Sequence, residues 1–245
     1  MISLKSFPEG YRAAVWGASG GIGAAFVAHL RDDPRCAAVS ALSRSGTEAS
    51  AKVRSVSYDP QSVESIQAAG NKAAEDGPLH LAIVALGTLH GETHKPEKAL
   101  RQLDRDAFRH VMEVNALLPA LIAQATVNTL DKERSVFTAL SARVGSVSDN
   151  RLGGWHSYRA SKAALNMLLR NIAIEVARKN KGAVVAGLHP GTVDSDLSAP
   201  FQGNVPEGKL FTPTYSAGAM LSVIDQWTPE QSGRCFDYAG AEIAP

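Results

Sequence analysis

A cluster of glycines that follows the first β-prone run limits what this chain can fold into more than any other feature. The cluster lies between the run Arg12–Trp16 and a helical pattern, and it reads Gly17-Ala18-Ser19-Gly20-Gly21-Ile22-Gly23. The spacing is G-x-x-x-G-x-G, with Gly20 as an additional glycine. Residues without a Cβ at such a strand-to-helix turn let a phosphate approach backbone N–H groups and the positive end of the helix dipole. We therefore predict a pyrophosphate-binding turn; a glycine-rich loop that only connects strand and helix is the alternative.

Short β-prone runs alternate with longer helical patterns along the chain. The predicted strands are Arg12–Trp16, Ala37–Leu42, Val53–Tyr58, Leu79–Leu86, Ser135–Leu140, Ala183–Leu188 and Arg234–Tyr238. Apolar residues recur at three- and four-residue intervals in the predicted helices, which are Ile22–Leu30, Gln61–Glu75, Leu103–Leu130, Tyr158–Lys179 and Ser216–Gln226. This alternation is typical of βαβ units, whose parallel sheet is covered on both faces.

Length and hydrophobic content allow one large core. The chain has 245 residues, of which 44% are hydrophobic, and α/β proteins of this length are commonly single domains. No repeat, low-complexity tract or linker divides the sequence. We predict one domain over residues 1–245 with a Rossmann-like, doubly wound α/β fold. Its sheet is expected to be seven-stranded and mostly parallel, between two layers of helices.

Charge and cysteine content exclude several classes of partner. The 25 basic residues nearly balance the 24 acidic ones, so we expect neither nucleic acid nor an anionic membrane as a partner. The two cysteines, Cys36 and Cys235, lack metal-ligand spacing, which predicts no disulfide framework, no metal site and a reducing, cytoplasmic location. Polar residues interrupt the N-terminal region, and no later apolar run approaches membrane-spanning length. We therefore expect neither an export signal nor a membrane span.

Residues after the second predicted strand indicate which dinucleotide the turn would hold. Ser43-Arg44-Ser45 stands where an NAD-preferring fold places an acidic residue on the ribose 2′-hydroxyl. A guanidinium matches phosphate geometry and hydroxyls flank it here, so Ser43 and Arg44 favour the 2′-phosphate of NADP(H), with NAD less favoured. A solvated surface arginine is the alternative. Asp59, after the third strand, either accepts from the adenine amino group or serves only an Asp-Pro turn.

A tyrosine and a lysine open the fourth predicted helix. Tyr158 and Lys162 are four residues apart in Tyr158-Arg159-Ala160-Ser161-Lys162, so they share a helical face. A phenol is a weak acid–base catalyst at its ordinary pKa of about 10, and a nearby ammonium favours the phenolate. We predict that Lys162 lowers the pKa of Tyr158. A Tyr and a Lys four residues apart are common on ordinary helices. The glycine turn in the same chain makes a catalytic role for this pair the favoured interpretation.

With these motifs in their order, the chain resembles the short-chain dehydrogenase/reductase family over essentially its whole length. The glycine turn and Tyr158-x-x-x-Lys162 are similar to the family's cofactor turn and catalytic pair, and Asn115 to its helix asparagine. The stretch His189-Pro190-Gly191-Thr192-Val193 is similar to the segment that contacts the nicotinamide amide. The stretch from Gly145 to Arg159 resembles the branch that contains C-factor-like and sniffer-like carbonyl reductases.

This chain departs from the family pattern in three places. Ser141 stands in the first of two serine positions, but Ala142 occupies the second, where the catalytic hydroxyl is usual. We favour Ser141 as the replacement; Ser146, or no serine donor at all, are the alternatives. Trp16 replaces a threonine before the first glycine, so backbone contacts must hold the turn. Val84-Ala85-Leu86-Gly87 replaces the family's Asn-Asn-Ala-Gly, and only the small shape of Ala85 and Gly87 remains for the cofactor.

The resemblance implies an NADP-dependent carbonyl reductase or alcohol dehydrogenase. Tyr158 would act as general acid and base, Lys162 would also bond the nicotinamide ribose, and Asn115 would hold a water in a proton relay through a local helix distortion. Asn115 is otherwise a satisfied polar core residue. The partners implied are a small carbonyl or alcohol substrate and further copies of the chain, as a homodimer or homotetramer. An NADP(H)-binding sensor with weak or no turnover is the rival function.

The substrate would contact two irregular segments. These are Thr88–Glu97 and Asp194–Pro213, and the second is a candidate lid. Trp155 and His156 either line the substrate mouth or are ordinary residues at a helix start, and we favour the second interpretation.

Overall fold

Short, buried apolar runs form the strands of one sheet in the computed structural model, which describes residues 2–245 apart from the side chain of Asn204. Met1 of the predicted domain lies outside these residues. The strands are β1 (Tyr11–Trp16), β2 (Cys36–Ser43), β3 (Val53–Ser57), β4 (Leu81–Val84), β5 (Ser135–Leu140), β6 (Ala183–His189), β7 (Thr192–Val193), β8 (Leu210–Phe211) and β9 (Cys235–Asp237). The main sheet has the order β3-β2-β1-β4-β5-β6-β9, and β7 and β8 form a separate small ladder.

The sheet confirms the predicted fold class. Its seven strands match the seven predicted runs, and every neighbouring pair is parallel. The predicted bounds are too long at β4, where Leu79 forms only an isolated bridge with Leu130. Strand order reverses between β1 and β4, and such a switch point opens a crevice at the carboxyl ends of the strands.

Helices cover both faces of the sheet. They are α1 (Gly21–Asp32), α2 (Val63–Ala73), α3 (Arg105–Met112), α4 (Leu118–Thr126), α5 (His156–Ala177) and α6 (Pro213–Gln226). Alternate strand residues point to opposite faces. One core packs α1 and α6 against residues such as Val15 and Ile83, and the other packs α2, α4 and α5 against residues such as Ala14 and Ala82.

The third predicted helix is interrupted. A π-helical turn, Glu113–Leu117, separates α3 from α4, and a short 3-10 turn follows α4. The predicted local distortion at Asn115 is therefore present, because this residue lies at the middle of the π turn.

The helical stretch Arg105–Thr129 corrects one expectation. By length and composition it is apolar enough to cross a membrane, although half of its most apolar window is buried inside the fold. The sequence-based statement that no apolar run approaches membrane-spanning length is therefore wrong. A core helix passes the same test because packing against a sheet and its helices also selects apolar residues.

A two-stranded ladder joins the two ends of the predicted lid, the segment Asp194–Pro213. Thr192 pairs with Leu210 and Val193 with Phe211, so the β7–β8 ladder ties both ends of the intervening segment together. Thr212 then begins α6, where its hydroxyl accepts a hydrogen bond from Tyr215 N at 3.1 Å.

Candidate active site

A cleft of about 590 Å³ opens at the carboxyl ends of the central strands. It brings together most of the predicted site residues, although they are far apart in sequence. Those that line it are Gly20, Gly21, Ile22, Gly23, Ala85, Gly87, Ser141, Tyr158, Lys162, Pro190, Gly191, Thr192 and Val193. The other predicted residues, outside the lining, are Gly17, Ser19, Ser43, Arg44, Asp59 and Asn115.

Two glycines of the turn are sterically required. Gly17 has φ +83°, and a Cβ there would lie 2.5 Å from Ala85 O. A Cβ on Gly23 would lie 2.1 Å from Gly17 O, which only a glycine avoids. Gly17 N and Ala18 N both donate to Leu42 O, at 2.8 and 3.0 Å. Backbone bonds thus hold the turn, as expected from the absence of a threonine at Trp16.

The first turn of α1 is open toward the cleft. Gly20 is its N-cap residue, and no side chain accepts from the first backbone N–H groups of the helix. Gly20, Gly21 and Ile22 line the cleft beside these groups. Uncapped N–H groups at a helix N-terminus attract anions through both hydrogen bonds and the helix dipole. This end of the cleft therefore has the chemistry of a phosphate site.

Tyr158 and Lys162 line the same cleft. Both belong to the first turns of α5, and Lys162 Nζ lies 5.8 Å from the centre of the Tyr158 ring. Lys162 is 3% exposed and donates from Nζ to Leu140 O at 2.8 Å, at the carboxyl end of β5. The helix period and a strand-end carbonyl thus place the ammonium beside the phenol.

Burial dominates the protonation of both groups. It raises the pKa of the Tyr158 phenol to about 12 and lowers the pKa of the Lys162 ammonium to about 8, although Cys235 acts in the opposite direction on the lysine. The net shift of the Tyr158 pKa is therefore upward, and its cause is the loss of water around the phenol. That Lys162 lowers this pKa stays a prediction.

Asn115 is completely buried next to the site. Its Oδ1 accepts from Thr88 N at 2.7 Å, and its Nδ2 donates to Thr88 O at 2.8 Å and to Ser161 Oγ at 3.0 Å. The side chain therefore joins the π turn to the Thr88–Glu97 segment and to α5. Its role in a proton relay stays a prediction.

Ser141 and Ser146, the two candidates to replace the hydroxyl absent at Ala142, differ in their access to the cleft. Ala142 lines the cleft with its methyl group, and Ser141 lines it while donating from Oγ to Asn166 Oδ1 at 2.6 Å. Ser146 is 2% exposed, lies outside the cleft lining and accepts from Asp149 N at 3.1 Å. Ser141 is thus the better placed of the two hydroxyls.

The residues predicted to distinguish NADP from NAD lie outside the cleft lining. Arg44 is exposed after β2, whereas Ser43 is 2% exposed and its hydroxyl has no hydrogen-bond partner among residues 2–245. The Asp59 carboxylate accepts a hydrogen bond from Gln61 N at 2.9 Å. This contact is expected for an Asp-Pro turn, which was the alternative to an adenine contact. Ser19 is exposed on the glycine turn.

Sequence reasoning did not assign His189 and Phe201 to the site and favoured an ordinary helix-start role for Trp155, yet all three residues line the cleft. His189 lines it at the end of β6, and burial lowers the pKa of its imidazole to about 4, with Arg143 adding to this effect. Trp155 and Phe201 line it with rings whose centres are 5.1 Å apart. The only signal in the sequence was an aromatic residue in each of two loops, Trp155 before α5 and Phe201 in the segment Asp194–Pro213. As for metals, no group of possible ligands is present among the residues that the structure describes.

Comparison with known sequences places these motifs in a family. Residues 12–205 match the family model for short chain dehydrogenases. A 1-hydroxy-2-glutathionyl-2-methyl-3-butene dehydrogenase of Rhodococcus sp. (strain AD45) is 36% identical over 176 residues, which cover 72% of this chain and 73% of the relative. The C-signal protein of Myxococcus xanthus is 36% identical over 146 residues, which cover 59% of this chain and 82% of the relative.

Solved structures agree with this placement. An NADPH-bound carbonyl reductase from chicken fatty liver superposes with a TM-score of 0.81 at 26% identity, and the match covers 98% of this chain and 96% of that chain. The similarity to C-signal and to a carbonyl reductase supports the branch predicted from the stretch between Gly145 and Arg159. The chain belongs to the short-chain dehydrogenase/reductase family, whose oxidoreductases share this Rossmann-like fold.

Proposed function

We propose that this protein is an NADP-dependent oxidoreductase that transfers a hydride between nicotinamide C4 and a carbonyl or alcohol substrate. One observation carries the proposal. Tyr158 and Lys162 line the same cleft as the uncapped N-terminus of α1, so an acid–base group and a phosphate site face one cavity. The NADPH-bound carbonyl reductase that this chain resembles supports NADP as the cofactor.

The chain's residues fit a dinucleotide. A Cβ at Gly17 or Gly23 would clash with backbone oxygens, so glycine keeps the turn tight, and the open N–H groups of α1 suit a pyrophosphate. Arg44 is exposed directly after β2 and would bind the 2′-phosphate, and the preceding Ser43 has a buried hydroxyl without a partner among residues 2–245. Ser19 and the carboxylate of Asp59 are assigned to the adenosine end.

Other residues would hold the nicotinamide end. Pro190–Val193 lines the cleft, and Gly191 has φ +76° with Phe211 and Tyr238 against its Cα, so its backbone is held in place. Ala85 and Gly87 supply small surfaces at the ends of the central strands. A Cβ on Gly87 would lie 3.4 Å from Asn115 Oδ1 and 3.5 Å from Lys162 Nζ. Glycine therefore leaves free space in the cleft beside these two side chains.

The bound nicotinamide would supply the hydride to the substrate carbon or accept it. Tyr158 has a pKa of about 12, so its phenol is protonated at neutral pH and is ready to donate to the substrate oxygen during reduction. Lys162, with a pKa of about 8, is mostly cationic at pH 7 and would bond the ribose and stabilise the phenolate left after proton donation. Ser141 would donate to the same substrate oxygen by turning its hydroxyl away from Asn166 Oδ1, and Asn115 would support the proton path to solvent.

A panel of ketones, aldehydes and quinones with NADPH tests this proposal. We expect oxidation of NADPH with at least one carbonyl compound and loss of nearly all of this rate in Tyr158→Phe. Tyr215→Phe is the matched control, because this exposed tyrosine lies outside the cleft lining. The proposal fails if no carbonyl is reduced, or if Tyr158→Phe keeps the wild-type rate.

A second candidate function, an NADP(H)-binding sensor or signalling protein, is favoured by one contact. The Ser141 hydroxyl is engaged with Asn166 and Ala142 offers no hydroxyl, so neither of the two family serine positions provides a free donor. The relative from Myxococcus xanthus is named C-signal. Tight NADPH binding without turnover on the whole panel would favour the sensor.

Location and assembly complete the proposal. We place the protein in the cytoplasm because Cys36 and Cys235 are both buried and unpaired.

We further propose a homodimer or homotetramer through the helices that carry Asn115 and Tyr158, where Leu117 and Met167 are 45% and 62% exposed. Light scattering of the purified protein measures the assembly, and a monomer at all concentrations would contradict it.

A further inference from the structure

We propose that Trp155 and Phe201 form an aromatic wall that selects substrates whose carbonyl is attached to a flat, aromatic ring and that carry no negative charge. The inference rests on the proposed function, because it concerns the substrate end of the same cleft. Both rings line this cleft together with Tyr158.

The backbone of Trp155 is the first argument. Its φ is +50°, and it is the one residue other than glycine with positive φ among residues 2–245. Gly153 and Gly154 precede it with φ +62° and +65°, so three successive residues are left-handed. A tryptophan in this region is strained, and it persists only where its surroundings hold it. Strain of this kind is concentrated at functional sites.

A buried glutamate from the other irregular segment holds this conformation. Trp155 N donates to Glu97 O at 2.5 Å. The Glu97 carboxylate, on a residue that is 4% exposed, accepts from Ser157 N at 3.2 Å and also from Ser157 Oγ. It thereby caps the N-terminus of α5, one residue before Tyr158. The helix that carries the phenol and the tryptophan before it are anchored by the same residue.

The indole ring is directed to the place where a substrate must sit. Its centre lies 6.1 Å from the Tyr158 ring at 76° and 5.1 Å from the Phe201 ring at 60°. Phe201 also contacts His90 at 5.8 Å, and His90 Nε2 is 3.0 Å from Asp196 O. The Thr88–Glu97 segment and the predicted lid therefore meet over the cleft through these aromatic rings.

Much of the remaining lining near the two rings is apolar, with Leu89, Val144, Leu197 and Val205 among its members. The predicted lid adds the polar residues Ser195, Asp196 and Ser198. Arg143 also lines the cleft, but its guanidinium lies 3.2 Å from an Asp237 oxygen and 3.4 Å from an Asp149 oxygen.

A flat ring that reaches Tyr158 can pack edge-to-face against both aromatic walls. A saturated ring of the same size lacks the π-system for this geometry. A substrate carboxylate would have to compete with two protein carboxylates for Arg143, which disfavours negatively charged substrates.

Two amides that cannot accept a hydride test the wall without turnover. Benzamide and cyclohexanecarboxamide have the same carbonyl group and nearly the same size, but only the first carries an aromatic ring. We expect the wild-type protein with NADPH to bind benzamide about 3- to 10-fold more tightly, measured by ligand-observed NMR titration. Trp155→Asn should abolish the preference, because asparagine tolerates the left-handed backbone but has no ring.

Phe201→Leu is the second variant, and it should reduce the preference even if Trp155→Asn does not fold. Tyr215→Phe should retain the preference, since Tyr215 lies outside the lining. Equal binding of both amides by the wild-type protein, or an unchanged preference in both wall variants, overturns the inference.

The matched ketones acetophenone and cyclohexyl methyl ketone separate this inference from the proposed function. We expect a kcat/KM ratio in favour of acetophenone that falls about 3- to 10-fold in Trp155→Asn. If neither ketone nor any other carbonyl is reduced while the amide preference follows the wall variants, the proposed function fails and the aromatic wall stands. If acetophenone is reduced but the ratio does not change in either wall variant, the wall fails and the proposed function stands.

Discussion

The Ser141 hydroxyl donates a hydrogen bond to Asn166 Oδ1 over 2.6 Å, which joins the carboxyl end of β5 to helix α5. Asn166 follows Lys162 by four residues and so lies one turn further along the same helical face. The serine is therefore tied to the helix that carries the catalytic pair, while Ala142 presents only a methyl group to the cleft. Because the Ser141 proton is donated to Asn166, this contact limits how strongly the hydroxyl can polarise a substrate carbonyl.

Restoring the hydroxyl at Ala142 should increase activity. Ala142→Ser places a donor where the family usually has one, and oxyanion-type donors contribute about 10²–10³ in rate, so we expect kcat/KM to rise by about 10- to 100-fold. Ser141→Ala should lower kcat/KM by about tenfold or more if Ser141 serves as the donor. Steady-state kinetics of both variants checks this. Unchanged rates in both would show that neither hydroxyl polarises the substrate.

Removing Arg44 should change cofactor preference. Arg44→Ala deletes the exposed guanidinium after β2, and we expect NADPH binding to weaken by about 1.5–3 kcal/mol, as for a charge-assisted hydrogen bond. NADH binding should change much less. Fluorescence titration with both cofactors measures the difference, and Arg178→Ala is a control that removes the same charge from an exposed position at the end of α5. Equal losses for NADPH and NADH would contradict the 2′-phosphate assignment.

Adding a methyl group at Gly23 should disrupt the turn. The Cβ of Gly23→Ala would lie 2.1 Å from Gly17 O, so α1 must move away from the turn. We expect loss of detectable NADPH binding and a loss of about 1–3 kcal/mol in the free energy of unfolding, as for overpacking in a tight contact. Gly20→Ala should leave stability nearly unchanged, since its nearest atom is at 3.5 Å. Urea denaturation of both variants measures the difference, and equal midpoints for Gly23→Ala and Gly20→Ala would contradict the steric argument.

The buried imidazole of His189 should make stability depend on pH. Its folded pKa is about 4 against an ordinary 6.5, so between these values the unfolded chain binds a proton that the folded chain does not. Stability is therefore fully present above pH 6.5 and falls as the pH drops toward 4. We expect this histidine to account for about 2 kcal/mol of the loss between pH 7 and pH 5.

His189→Asn isolates that contribution. Urea unfolding of the wild-type and variant proteins at pH 7 and pH 5 should show a smaller pH dependence in the variant. The remaining dependence, from His80 and Asp131 among other groups, is common to both proteins. An identical pH dependence in both would show that the imidazole titrates normally in the folded state.

Local patterns in the sequence were sufficient for the fold and for the ends of the cleft. The spacing of Gly17 and Gly23 predicts the strand-to-helix turn because only close backbone approach requires both glycines. The four-residue interval between Tyr158 and Lys162 predicts their common face because it is set by the helix period. Such features depend on neighbours in the chain, so they are visible without any knowledge of the sheet.

The tertiary structure alone decided which distant groups meet and in what environment. Burial raises the pKa of Tyr158, although the nearby lysine predicts the opposite direction. Glu97 and Trp155 are 58 positions apart in sequence, and only the packing of two loops brings one to hold the other. Desolvation and loop contact depend on everything that surrounds a residue, whereas spacing depends on the covalent chain, and for that reason sequence determined the scaffold and folding determined the substrate site.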